Sequence, residues 1–216
     1  MQNNGLFDDI TSRVLDSCVH VKVRRGQVIC LQEDKISYLY MVVKGEVTLT
    51  STSLGDSDIL IAVVRAGHFF GETDLLLNDT ASFTAIARVN SVIRKVSKIK
   101  FENLLQIPEI STKMLAYIAQ QNRINLERLA IVSCHSNTRV EAGLNWLGRT
   151  MGVQTDKGVR IDLTMEQIAK AIGYTREAMS RCVSKLIQQH KVKKDSCYHR
   201  CLYLLNGNAS KLGGKV

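Results

Sequence analysis

Arg176, Glu177, Ser180 and Arg181 are spaced so that a helix carries all four on one face. Their side chains suit flat edges that bear hydrogen-bond donors and acceptors. An arginine fork matches the paired O6 and N7 acceptors of guanine, and a glutamate accepts from the N4 amine of cytosine. Glu177 and Arg181 stand four residues apart, where the carboxylate is expected to steady the guanidinium. Lys185 follows one turn later. A solvated charged face is the plain alternative. The flanking residues decide between the two.

Thr164 and Gln167 have capping-box spacing, which predicts a helix from there to about Ile172. Gly173 permits a sharp turn, and Thr175 can cap a second helix running toward Ile187. Ile168, Ala169, Ile172, Met179, Val183 and Leu186 supply the apolar positions that lock two short helices at a steep angle. This is the helix-turn-helix pattern, whose second helix lies in the DNA major groove. Double-stranded DNA is the expected partner, contacted from Thr164, Thr175, Arg176, Glu177, Ser180, Arg181 and Lys185.

The totals agree. The chain has 216 residues, 45% hydrophobic and 23% charged, which suits an ordinary globular protein of one or two domains. No apolar run is long enough to cross a bilayer, and Met1-Gln2-Asn3-Asn4 lacks the pattern of a signal peptide. A cytoplasmic protein with reduced thiols is expected, and no membrane partner. Six scattered cysteines argue against a disulfide framework. Residues 139 to 216 hold 14 Lys and Arg against 6 Asp and Glu, a balance of +8, whereas residues 1 to 138 balance at +1. The excess sits beside the helix-turn-helix, as phosphate binding requires. Acidic lipid is the weaker alternative, because no amphipathic anchor with aromatics on one face accompanies the charge.

Residues 6 to about 18 have helical spacing. Short β-rich runs follow at 20–23, 27–31, 38–43, 47–50, 59–64, 84–87 and 91–96, separated by turns such as Arg25-Gly26, Lys44-Gly45, Leu54-Gly55-Asp56 and Ala66-Gly67. They predict an antiparallel barrel or double-sheet roll. A short helix is expected over 100–105. Pro108, the only proline, is placed to start a long helix reaching about Val132. On it Leu115, Ile118, Asn122, Asn125, Leu129 and Val132 form a heptad seam, which suits a parallel two-helix homodimer better than a helix lying on its own barrel. Residues 133–137 break the stripe and are the expected hinge. Ser136 or Asn137 can cap the next helix, with Val140, Leu144, Trp146 and Leu147 on its buried side. Lys191 to Lys194 and Tyr198 to Leu205 suggest a two-stranded wing with phosphate-contacting lysines, and residues 206 to 216 a loose tail.

Three stretches now carry a family resemblance: Tyr40 to Val47, Gly67-His68-Phe69-Phe70-Gly71-Glu72, and Tyr174 to Arg181. Their order and spacing resemble the CRP–FNR family of bacterial transcription regulators. The likeness runs from about Leu6 to Leu205. It implies an α+β fold: an N-terminal antiparallel, cyclic-nucleotide-binding-like β-roll or barrel (1–107), a dimerisation helix and hinge (108–135), and a C-terminal winged helix-turn-helix (136–216). It also implies allosteric control through the barrel, RNA polymerase as a partner, and a palindromic site with half-sites of the TGTGA or TTGAT type. Arg176 resembles the cyclic-AMP-responsive branch; Glu177 to Arg181 resembles both branches.

Phe70 to Leu76 resembles the family's phosphate-binding cassette, so Gly71, Glu72, Thr73, Phe83 and Thr84 mark the candidate effector pocket. In cyclic-nucleotide-binding members an arginine precedes a Ser/Thr-Ala pair. Here the pair is Thr84-Ala85 and the preceding residue is Phe83, with no basic residue between Phe70 and Ala87. Losing that cation costs a bound phosphate roughly 2 kcal/mol or more. Where those members place a Thr-Ser pair on the long helix, this chain has Asn122-Arg123, a second departure. Both argue against cyclic-AMP binding.

The resemblance allows other cofactors: a cyclic nucleotide, haem or none. An iron–sulfur cluster needs about four converging cysteines, and the first 130 residues hold only Cys18 and Cys30. His68 is the candidate haem ligand. Cys197, His199 and Cys201 would share one face of a strand, but zinc wants a fourth ligand, so no metal site is assigned and a half-buried wing strand is the better reading. A rival function is a ligand-binding regulatory module that acts on a protein partner, which leaves the basic C-terminal segment without a purpose. An enzyme is the weakest reading, for no catalytic grouping converges in the motifs.

Overall fold

The computed structural model describes residues 6–14, 18–52, 58–194 and 202–205. The chain forms two compact units, Met1–Gln121 and Asn122–Val216.

The first unit holds α1 (Leu6–Val14), β1 (Val19–Val23), β2 (Val28–Cys30), β3 (Tyr38–Lys44), β4 (Glu46–Thr52), β5 (Asp58–Arg65), β6 (His68–Phe70), α2 (Glu72–Leu77), β7 (Thr84–Ala87), β8 (Ser91–Ser97) and α3 (Lys98–Leu105), and it ends in the first half of α4 (Pro108–Ser133). Its strands form two four-stranded sheets, β1-β8-β3-β6 and β2-β7-β4-β5, in which every pair is antiparallel. This is the expected roll. Leu39, Met41, Val42, Val47, Phe69, Phe70, Phe83, Ala85 and Ile93 are buried in one core, and α1 adds Leu6 and Ile10 to it. A second cluster of apolar residues joins from α3 and α4: Phe101, Leu104, Ile110 and Met114.

The second unit contains the rest of α4, then α5 (Ser136–Met151), β9 (Val153–Thr155), β10 (Gly158–Ile161), α6 (Met165–Ala171), α7 (Arg176–Gln188), β11 (Val192–Lys194) and β12 (Leu202–Leu204). The strands make an antiparallel sheet in the order β11-β12-β10-β9. Val140, Leu144, Trp146 and Leu147 are buried on α5, as their spacing predicts.

Several expectations need correction. The first helix is described over Leu6–Val14, residues 15–17 lie outside the described residues, and Cys18 already leads into β1. His135, not Ser136 or Asn137, occupies the N-cap of α5, and its side chain makes no capping bond. The β9–β10 hairpin, β6 and α2 were not expected. All are short: three or four residues per strand and six in α2, too few for a period to register. The turn at 54–56, the segment with Cys197, His199 and Cys201, and the tail from 206 lie outside the described residues.

Candidate nucleic-acid interface

The helix pair is set by its caps. Thr164 Oγ1 accepts from Gln167 N at 3.1 Å, and Gln167 Oε1 accepts from Thr164 N at 3.0 Å, closing both halves of the capping box. Thr175 Oγ1 accepts from Ala178 N at 3.3 Å at the start of α7. Each cap is worth on the order of 1 kcal/mol. Gly173, between the helices, has φ +68°, and a Cβ there would sit 3.5 Å from Val132 Cγ1 on α4. Glycine takes that left-handed turn without strain. Ile168, Ala169 and Ile172 from the first helix and Met179, Val183 and Leu186 from the second are all buried.

The opposite face of α7 is polar. Arg176, Glu177, Ser180, Arg181 and Lys185 are all exposed. Among the described residues, none of these five side chains takes part in an ion pair or a side-chain hydrogen bond. That corrects one expectation: Glu177 and Arg181 do not pair, although four residues apart. A long exposed pair gains little in water against the entropy of holding it. Both groups are therefore available. Lys185 stands at the rim of a depression of about 490 Å³ that also involves Glu141, Asn145, Cys182 and Lys191. Lys191 is engaged there, its Nζ 2.8 and 2.9 Å from the two Glu141 carboxylate oxygens. On β11, Lys193 and Lys194 are exposed.

On α4, Leu115 and Leu129 are 69% and 63% exposed, and Leu126, which the seam assignment omitted, is 56% exposed. Asn122 and Asn125 are also exposed, and Ile118 and Val132 half-buried. Leu115, Leu126 and Leu129 are thus three large apolar side chains exposed along α4.

In the roll, Gly71 caps α2 with φ +86°, and a Cβ there would press on the Tyr40 ring at 3.3 Å. Glu72 is buried, its Oε2 has no partner, and burial pushes its carboxyl up to about 7, with Asp74 adding to the rise. Thr73 is exposed, its hydroxyl 3.5 Å from Glu72 Oε1. Asp74, also buried, accepts from Ser82 N and Oγ at 3.3 and 3.2 Å. Thr84 Oγ1 is spent on Gln32 N at 3.0 Å. Phe83 is 6% exposed and meets Phe70 edge to face, and Phe70 in turn stacks on Tyr40. A cation does reach this aromatic group, but from β8: Lys95 Nζ lies 5.5 and 5.6 Å from the centroids of Tyr38 and Tyr40. Nothing in the spacing of the sequence signals it. Asn122 and Arg123 are exposed residues of α4 in the other unit. His68 Nδ1 lies 3.3 Å from Ala66 O. Among the described residues no group of three or more potential ligands could hold a metal ion.

Residues 20–107 match the Cyclic nucleotide-binding domain family and residues 138–208 the Crp-like helix-turn-helix domain family. The chain belongs to the CRP–FNR family. It is 29% identical over 184 residues to the global nitrogen regulator of Synechococcus elongatus, covering 77% of this chain and 80% of that protein. With the cAMP-activated global transcriptional regulator CRP of Escherichia coli it shares 24% identity over 182 residues, 82% of this chain and 87% of that one. Among solved structures, the c-di-GMP responsive global regulator CLP of Xanthomonas campestris superimposes with a TM-score of 0.76 at 16% identity, over 92% of this chain and 99% of CLP. FixK2 of Bradyrhizobium japonicum does so with a TM-score of 0.73 at 21% identity, over 92% and 98%. These structural likenesses concern the fold. The CRP–FNR family consists of DNA-binding transcription regulators, not enzymes, and no described helix of this chain is long and apolar enough to cross a membrane.

Within the family pattern, the cassette of this CRP–FNR chain keeps its glycine and glutamate but fills the arginine's place with a packed ring. Phe83 packs edge to face on Phe70 there, and burial raises the neighbouring Glu72 carboxyl to about 7.

Proposed function

We propose that the protein is a homodimeric, sequence-specific transcription regulator that reads a palindromic DNA site with α7 and is controlled through its N-terminal roll by something other than cyclic AMP. One observation carries the reading. The cap-anchored helix α7 buries Met179, Val183 and Leu186 and leaves Arg176, Glu177, Ser180, Arg181 and Lys185 exposed and uncommitted. Unpaired arginine forks next to a carboxylate are suited to G·C edges. Thr164 and Thr175 stand at the helix starts, where their backbone can meet phosphates.

The other parts follow from this role. Leu115, Ile118, Asn122, Asn125, Leu129 and Val132, with Leu126 added, form the dimer seam. Residues 1–107 act as the effector domain, 108–135 as dimerisation helix and hinge, and 136–216 as the DNA-binding domain, with RNA polymerase as the partner of the bound dimer. The effector pocket lies around Gly71, Glu72, Thr73, Phe83 and Thr84, and Asn122 and Arg123 are further candidate effector residues. The protein-partner alternative leaves the +8 balance of residues 139–216 unexplained, and the acidic-lipid alternative lacks an amphipathic anchor with aromatics on one face.

Selection from random duplex DNA tests the proposal. Enrichment of a palindrome whose half-sites lie about 10 base pairs apart, or a multiple of that, is expected. If no sequence is enriched, the reading is wrong.

A further inference from the structure

The turn between α6 and α7 is held from outside the helix pair. A helix end leaves its last carbonyls without backbone donors. Here Ala169 O takes two, Ile172 N at 3.2 Å and Tyr174 N at 2.9 Å. The neighbouring carbonyls of Ala171 and Gly173 are taken by arginines. Arg128, on the last part of α4, donates from Nε to Ala171 O at 2.9 Å. Arg139, on the first turn of α5, donates from Nη1 to Gly173 O at 3.3 Å and from Nε to Cys134 O at 3.0 Å. Cys134 and His135 separate α4 from α5.

Each guanidinium also lies against a ring of the same unit. Arg128 is 5.7 Å from the Trp146 ring centroid, and Arg139 is 5.2 Å from that of Tyr174. Neither has a carboxylate among its described partners. Burial lowers the Arg128 pKa from its ordinary value, which fits a charge taken partly out of water. Half-buried arginines on main-chain carbonyls are an unusual expense for stability alone, because an apolar residue would pack there without desolvating a charge.

We propose that Arg128 and Arg139 are positioning residues for DNA reading. They grip the turn from the two sides of the Cys134 hinge and so fix where the N-terminus of α7 stands relative to the end of α4. Arg176 and Glu177 begin three residues beyond Gly173, so a shift of the turn moves both directly. Geometry of this kind must be held by neighbours whose own positions are locked. In a dimer joined along α4, the two clamps set the separation between the two reading helices, and hence the half-site spacing the protein accepts.

This inference rests on the DNA-binding reading, and its test separates the two. Full-length wild type is first used to select a preferred duplex. Affinities of wild type, Arg128→Met, Arg139→Gln and Arg128→Lys are then measured at one salt concentration. The probes are that duplex, versions with the spacer one base pair longer or shorter, and an unrelated duplex. Met keeps the unbranched apolar stem of Arg128 without its donor. The Met and Gln variants are expected to lose roughly tenfold or more on the preferred duplex, the scale of one charge-assisted hydrogen bond. They should discriminate less among spacers and keep affinity for the unrelated duplex within about twofold, since phosphate contacts govern that term. Arg128→Lys should recover part of the loss. Unchanged affinity and spacer preference overturn the proposal, as does an equal loss on every duplex, which marks a merely structural role. If Arg128→Met does not fold, Arg139→Gln, at a half-exposed site, decides by the same criteria. If wild type enriches no duplex, the DNA-binding reading fails instead.

Discussion

Phe83 meets Phe70 edge to face, with ring centroids 5.9 Å apart and planes at 73°. Phe70 continues into a stack on Tyr40 at 5.0 Å. Aromatic pairs at these distances add to the energy of burial, so the roll is packed at the point where a nucleotide-binding relative needs a cation.

Cyclic AMP at millimolar concentration is therefore expected to leave both the melting temperature and the DNA affinity unchanged. Phe83→Arg should instead destabilise the roll by on the order of 3 kcal/mol, since it removes a buried ring and adds a charge. Urea unfolding followed by fluorescence measures the cost. A melting temperature that climbs with cyclic AMP would show that Glu72 and the cassette backbone suffice without the arginine.

Glu72 gives a pH dependence with a definite sign. Its carboxyl is raised in the fold from 4.5 to about 7, chiefly by burial. The native state thus holds a proton that the unfolded chain has already released. The contribution to stability is fully present below about pH 4.5 and is lost as pH rises through about 7. Glu72→Gln, neutral at every pH, should flatten this part of the profile and gain relative to wild type at pH 8. Denaturation midpoints across pH 4 to 8 are the measurement, and identical slopes for the two proteins would contradict the assignment.

Leu129 and Leu126, at 63% and 56% exposed, test the seam. A Leu129→Glu and Leu126→Glu double variant places two like charges on each helix of a pair. It should sediment as a monomer at micromolar concentration, with circular dichroism close to that of wild type. A wild-type protein that is itself monomeric under those conditions would remove the basis for the dimer.

The parts legible in the sequence are those set by local chemistry. Thr164 with Gln167, Gly173 and Thr175 announce their helices because a cap or a left-handed turn is decided within three or four residues. The roll was legible as a type of fold through its repeated short runs and turns. The β9–β10 hairpin was not, because Val153 to Thr155 is too short to show alternation and the connecting Asp156-Lys157 is not a strong turn signal. The clamps were invisible for a different reason. Arg128 and Arg139 act on carbonyls 43 and 34 residues away, and a main-chain acceptor leaves no trace in residue type. Lys95 reaches Tyr38 and Tyr40 only because β8 pairs with β3. The Glu177–Arg181 pair failed as an expectation since helical spacing permits contact without requiring it.

The most direct test of DNA reading by α7 is the affinity of Arg181→Ala for the selected duplex and for a scrambled one, at physiological salt. Arg181 is exposed and unpaired, so its loss should not disturb the fold. A bidentate arginine contact discriminates by about 1–3 kcal/mol, so the variant should lose roughly 5- to 150-fold on the selected duplex and at most a few-fold on the scrambled one. A variant that keeps the wild-type preference between the two would contradict the account.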